Sequence, residues 1–446
     1  MNSARSWVVF VGAAFAYLVA VLQRTSFGVA GVDATDRFEV NAAVISTVAV
    51  VQVVVYAVLQ IPVGVLLDRF GAPVLIVTGA VVMAAGQAML AIADDVWLAI
   101  LARVLVGAGD AATFVSVLRL LPAWFEGRIL PQLSQWVGMT GQIGQIVSAF
   151  PFAMLLHLAG WTPAFLVAAG SCVLSAVVSL AVVRRGARLT TTAEISVVDP
   201  SELGLRASLR RPGTRVGFWA HLLGGTLPNM LGVMWGYPFL TAGLGYDAAT
   251  ASGIFSLMVV GTFVSGPVIG LLVARHPLRR SDLALVITWS VFLVWALVLL
   301  WQPVPPVWLV SVFFLGVGAC GPASLIGLDV ARSENPIHAH GSATGVANSG
   351  GFAGGFVSML LVGAALDLVD EVRVANGLPS QLYGLDGFRI AFITVFVVAL
   401  VGSIGLLATR RGPRRRLAEE EGIQIAPLWV ALFRTRGGRR PPRVRE

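Results

Sequence analysis

Apolar runs of about twenty residues recur twelve times along this chain, at positions 7–31, 42–67, 73–93, 96–121, 131–156, 162–183, 215–241, 248–273, 281–300, 306–330, 341–366 and 387–408. Within each run the few polar residues return at helical spacing, and the runs are far longer than the ~10-residue alternating strands of a membrane barrel. A bilayer hydrocarbon core ~30 Å thick is crossed by ~20 apolar residues in a helix. The pattern therefore predicts an all-α membrane protein with twelve transmembrane helices.

Arginine sets the orientation. The chain contains no lysine, so its 31 basic residues are all arginine. With the N-terminus inside, one side receives Arg5, Arg69, Arg128, the cluster from Arg184 to Arg215, then Arg275, Arg279, Arg280, Arg332 and the C-terminal tail. The other side receives Arg37, Arg373 and Arg389 among acids such as Asp33, Asp94, Asp247 and Asp370. The bias of basic residues toward the cytoplasm predicts that both termini lie there, in a plasma membrane. The absence of lysine suggests GC-rich codons and hence a bacterial inner membrane.

Composition fits this picture: 57% of residues are hydrophobic, 12% are charged, and mean hydropathy is +0.84. The net charge of +8 sits in loops that flank the spans, so the expected partner is anionic inner-leaflet lipid and not nucleic acid. Cys172 and Cys320 fall inside spans and imply no disulfide framework. Arg5 ahead of an apolar run resembles a signal peptide, but eleven further spans favour a retained first helix. A monomer is expected, with no cofactor.

One long polar interruption, residues 184–214, divides six spans from six. The predicted organisation is an N-terminal bundle over 1–183, a linker over 184–214, a C-terminal bundle over 215–409 and a basic tail over 410–446. Asp199-Pro200-Ser201-Glu202 reads either as a helix start or as part of a flexible linker. The tail segment 422–433 either rests on the membrane or stays disordered. The halves echo each other. Gly141, Gly144 and Ser148 match Gly351, Gly354 and Ser358 at an offset of 210. Gly107-Ala108-Gly109 matches Gly316-Val317-Gly318, and Pro62 through Gly64 resembles Pro267 through Gly270. Three matches in order point to a duplicated six-helix unit, the usual build of secondary transporters, with a substrate site between the halves near mid-membrane.

The loop Gly64-Val65-Leu66-Leu67-Asp68-Arg69-Phe70-Gly71 resembles the signature loop of the major facilitator superfamily, and Arg103-Val104-Leu105-Val106-Gly107-Ala108-Gly109 resembles its span-four signature. The resemblance covers about residues 7–409. It implies alternating access, two bundles rocking about a central site, with Asp68 in a charge network that latches the cytoplasmic side. Gly64, Asp68, Arg69 and Gly71 are its gating candidates. Ala72-Pro73 stand where the family usually has basic residues, so the latch would rely on Arg69 and Arg128, unless Asp68 simply caps its loop.

Polar groups inside spans are costly in lipid and usually face the protein interior or a wet pathway. Gln52, Tyr56 and Gln60 form a one-face stripe on span two, read as a wet lining or as helix–helix hydrogen bonding. Gln142 and Gln145 on span five, Asn229 and Trp235 on span seven, and Asn348 on span eleven join them as substrate-contact candidates, with Arg24 on span one. Arg24 pairs across helices, binds an anion, or snorkels outward. Asp110 is the candidate proton carrier with Arg103 beside it, or else half of a permanent pair with Arg24 or Arg103. Arg119 and Asp329 occupy equivalent repeat positions, and a gate between them is a further expectation. His338 and His340 lack the ligand cluster of a zinc site, and the glycine pairs lack the lysine of a phosphate loop.

These features predict a secondary active transporter that is not an enzyme. The excess of intramembrane arginine favours an organic anion carried with protons, and Gln23-Arg24-Thr25-Ser26 is loosely similar to the superfamily's anion symporters. The alternatives are proton-coupled efflux of drugs or metabolites, and a receptor or scaffold that does not transport.

Overall fold

The computed structural model describes residues 2–40, 42–187, 205–336 and 339–411. The Asp199–Glu202 helix start, Arg188 of the linker, His338 and the tail beyond residue 411 fall outside the described residues. Helix accounts for nearly everything described, because a backbone in hydrocarbon must satisfy its own N–H and C=O groups.

The first six crossings are α1 (Ala4–Val29), α3 (Ala42–Phe70), α4 (Ala72–Ile92), α5 (Val96–Trp124), α6 (Ile129–Val147) continued by α7 (Ala153–Ala159), and α8 (Trp161–Ala187). A short helix, α2 (Gly31–Phe38), fills the first loop. After α9 (Leu205–Arg210), the second six are α10 (Pro212–Met230) with α11 (Gly236–Pro238), then α12 (Ala248–Arg275), α13 (Arg280–Leu300), α14 (Val307–Ser333), α15 (His340–Ala375), and α16 (Leu385–Ala391) with α17 (Ile393–Thr409).

Eleven of these crossings are long and apolar enough to span a membrane, the fifth with one π turn at Ser148–Phe152. The twelfth, from Pro212 to Gly243, is broken twice by π turns, at Leu231–Trp235 and Phe239–Gly243. A π turn inserts one residue into the ladder and redirects the helix, so this crossing reads as a chain of short pieces. Pro228 and Pro238, which cannot donate an N–H, sit just before the two π turns.

The first and last described residues lie on one face. The Asn2 N–H donates to the Trp124 carbonyl at the end of α5, and Arg410 bonds Asp282 at the start of α13. We call this the terminal face. Each half has its own apolar core. The second half packs around Trp295, which stacks on Phe313 and Phe396 at 5.5 and 5.1 Å, and the first around residues such as Leu118, Leu133 and Ile76.

The halves meet along α3 against α15 and α6 against α12 and α14. Glycine permits the first contact: a Cβ on Gly64 would lie 2.6 Å from the Gly341 carbonyl oxygen. Proline frees two carbonyls nearby, one inside the second half and one reached across the halves. Pro322 and Pro122 lack the N–H that would bind the carbonyls four residues earlier, Gly318 and Leu118. Thr262 takes the Gly318 carbonyl at 2.9 Å, and Arg332 reaches the Leu118 carbonyl of the other half at 3.5 Å.

Candidate functional site

Arg24 and Asp110 form a two-bond ion pair between α1 and α5. The Arg24 Nε donates to Asp110 Oδ2 at 2.7 Å and Nη2 to Oδ1 at 2.9 Å. Planar forks matched in this way are the strongest ion pairs side chains make. The two partners differ in access: the Asp110 side chain is fully buried, whereas 26% of the Arg24 side chain is exposed. The pair therefore presents its guanidinium. The Tyr56 ring lies 4.5 Å below that guanidinium, a cation–π contact.

Of the two pairings open to Asp110, the one formed is with Arg24. Arg103 is buried about two turns away on α5 and serves the backbone instead. It donates to the Gln23 carbonyl at 3.3 Å and the Arg24 carbonyl at 3.1 Å, and lies over the Phe27 ring. A second polar set backs this segment of α1. Gln87 donates to Gln23 Oε1 at 2.9 Å and to Ser26, and Gln23 donates to Ser171 at 2.9 Å. Gln87 was not singled out from the sequence, although a glutamine inside a span was signal enough.

The stripe on α3 is buried in this arrangement: Gln52, Tyr56 and Gln60 are 1%, 4% and 0% exposed. Gln52 faces Gly107 of α5, and neither of its amide atoms has a partner among the described residues. Tyr56 meets Phe352 edge-on at 5.0 Å, and Gln60 Oε1 accepts from Asn348 Nδ2 at 2.5 Å, both across the halves. On the second half, His221 Nδ1 sits 2.9 Å from the Ser324 carbonyl.

Asn229 and Trp235 bind α10 to α15, donating to the Gly351 and Met359 carbonyls at 3.0 Å each. Both are bonds within the second half. Gln142 is half-buried and Gln145 exposed, away from the Arg24 cluster's hydrogen bonds.

At the terminal face, Asp68 caps the start of α15. It accepts from the Gly341 and Ser342 N–H groups at 2.7 Å each and from the Ser342 hydroxyl. A carboxylate at a helix N-terminus satisfies orphan donors and meets the positive end of the helix dipole. Arg119 acts on Asp68 electrostatically. Exposed Arg69 lies over the Phe70 ring, and Gly71 takes φ +78° to start α4. Asp329 is held by Ser134 of the other half at 2.9 Å and by Arg332 at 2.6 Å. The gate expected between Arg119 and Asp329 is thus made of different pairs: Arg119 works with Asp68, and Asp329 with Ser134 and Arg332. Arg332 lies one helical turn beyond Asp329, which is why repeat arithmetic did not reach it.

The family model for the Major Facilitator Superfamily matches residues 13–359 and 217–437. The chain belongs to the major facilitator superfamily. It is a multi-pass membrane transporter of that fold, and its two signature segments are the Asp68 cap and the Arg103 helix described above. Multidrug resistance protein MdtH from Yersinia enterocolitica and from Yersinia pestis is 34% identical over 113 residues, 24% of this chain. The matched segment covers only 28% of those relatives. Among solved structures, a bacterial homologue of the human lysosomal transporter Spinster, in an inward-facing and unoccupied conformation, superposes with TM-score 0.55 at 15% identity. That match covers 92% of this chain and 98% of the other, and shows a shared fold.

Proposed function

We propose that this transporter carries a small organic anion together with protons by alternating access, and that Arg24 receives the anionic group. The observation that carries the reading is the unequal exposure of the Arg24–Asp110 pair. A substrate carboxylate or similar group would compete with Asp110 for the guanidinium. A buried carboxylate that loses its counter-ion is strongly driven to take up a proton. Anion binding and protonation of Asp110 would then be one coupled event, and Arg103 would keep α1 in place while it happens.

In this reading the terminal face is cytoplasmic, as the arginine bias suggests, and the arrangement described is closed on that side. The bonds from Asp68 to α15, Gln60 to Asn348, and Ser134 to Asp329 would break together when the halves rock.

A second reading is efflux of hydrophobic compounds, favoured by the name of the MdtH relatives and by the Tyr56–Phe352 ring pair beside Arg24. Proteoliposomes separate the two. Uptake of an organic anion driven by an inward proton gradient, lost in Arg24→Gln, is the expected result. Extrusion of cationic dyes with no anion flux would replace the first reading by the second.

A further inference from the structure

A cavity of about 360 Å³ lies between the halves at the terminal face, remote from the Arg24–Asp110 pair. Pro122, Arg128 and Pro131 line it from the first half, and Pro277, Arg280 and Arg332 from the second. Asp329 is the carboxylate in its wall, and it is already committed to Arg332 and Ser134. Its second oxygen is buried out of contact with solvent.

The charges around the cavity do not balance. Arg128 is exposed and forms no ion pair among the described residues. Arg280 forms none either; its Nη1 donates at 2.6 Å to the neutral hydroxyl of Ser333. Arg280 and Arg332 are close enough to repel each other. Glu334 also acts on Arg280, but it is outside the cavity lining. Two guanidinium groups from opposite halves, Arg128 and Arg280, thus line one hollow whose carboxylate, Asp329, is already held by Arg332 and Ser134. Forked donors converging from two sides match a tetrahedral oxyanion better than a single-point charge.

We propose that this cavity binds a phosphate-type oxyanion, either free or as the headgroup of an anionic lipid, and that the bound anion bridges the halves. A ligand touching both walls binds the closed face better than the open one, so it must shift the equilibrium toward closure. The site is independent of which solute is carried.

The test uses the full chain. In detergent, inorganic phosphate is titrated against chloride at matched ionic strength while the unfolding temperature is followed. In phosphate-free buffer, vesicles of phosphatidylcholine with and without phosphatidylglycerol form the second arm. The expected result is a saturable rise specific to one arm. Arg280→Gln should raise the half-saturating concentration at least tenfold, and Arg128→Gln, on the exposed rim, should do the same without disturbing packing. A rise with phosphate assigns a soluble anion; a rise only with phosphatidylglycerol assigns the headgroup. No rise beyond chloride or phosphatidylcholine in either arm overturns the proposal. So does a rise that both substitutions leave unchanged.

Discussion

Gly64 and Gly341 pack backbone to backbone across the halves, so tightly that a Cβ on Gly341 would lie 2.5 Å from the Gly64 carbonyl oxygen. The next turn repeats the arrangement, with Gly345 against the Gln60 carbonyl. Only residues without a side chain let α3 and α15 approach this far, and only that approach brings Asp68 onto the Gly341 and Ser342 N–H groups.

The first prediction follows from this contact. In Gly64→Ala the added methyl meets backbone, which cannot swing aside as a side chain would. The terminal face should then stay open. A cysteine at Ser349, in a chain with Cys172 and Cys320 replaced by serine, should react with a reagent added from that face at least tenfold faster than in the Gly64 parent. An unchanged labelling rate would mean that closure does not run through this glycine.

Arg24 and Asp110 make the second prediction. Removing one member of a buried pair strands the other, at a cost of about 3–5 kcal/mol, whereas removing both can be nearly neutral. Arg24→Ala should therefore destabilise the protein more than the double replacement Arg24→Ala with Asp110→Ala, as measured by denaturant unfolding in mixed micelles. Asp110→Asn should abolish proton-driven accumulation and spare counterflow exchange, because exchange requires no net proton movement. Accumulation at the parental rate in Asp110→Asn would remove this residue from coupling.

The fold was legible because its causes are local. Spans are set by apolar length, and a twelve-span chain with two signature segments leaves few architectures open. The broken seventh crossing was less legible: Pro228 and Pro238 signal a disturbance, but a π turn is a matter of one extra residue that no period reveals. The sequence marked most of these polar residues but not the partners they take. Gln60 and Asn348 each looked like cavity lining, yet they bond each other, because neither helix carries a pattern that names its partner. Arg24 and Asp110 were found separately, and the choice between Arg24 and Arg103 as partner depended on helix rotation. Arg332 was read as a loop charge for orientation, although it is buried and spans the halves.

The Gln60–Asn348 bond gives a third prediction. Hydrogen bonds between helices in a bilayer average about 0.6 kcal/mol and reach about 1.7 kcal/mol. A double-mutant cycle with Gln60→Ala and Asn348→Ala, read from the labelling equilibrium of the Ser349 cysteine, should return a coupling in that range that favours the closed face. Additive effects, with no coupling, would show that the two residues act separately and that this bond does not hold the halves together.

Asp247 provides the last prediction, on the face opposite the termini. It caps α12, accepting from the Ala249 and Thr250 N–H groups at 2.9 and 3.0 Å and from the Thr250 hydroxyl at 2.7 Å. The Thr250 backbone and hydroxyl bonds stabilise the ionised form and hold the Asp247 carboxyl below the usual range. A depressed native pKa means that the unfolded chain binds the proton more tightly. The cap's ionic contribution is then fully present above the unfolded value and disappears as pH falls through the lower native one. Asp247→Ala should lower the unfolding temperature at neutral pH, and the gap to the parent should narrow as pH falls through the carboxylate range. Asp247→Asn keeps an acceptor without the charge, so it should unfold between the two at neutral pH. In acid, once the parent's carboxyl is protonated, the Asn variant should match or exceed it. A gap between the parent and Asp247→Ala that stays constant from neutral pH into acid would show that ionisation of this cap contributes nothing to stability.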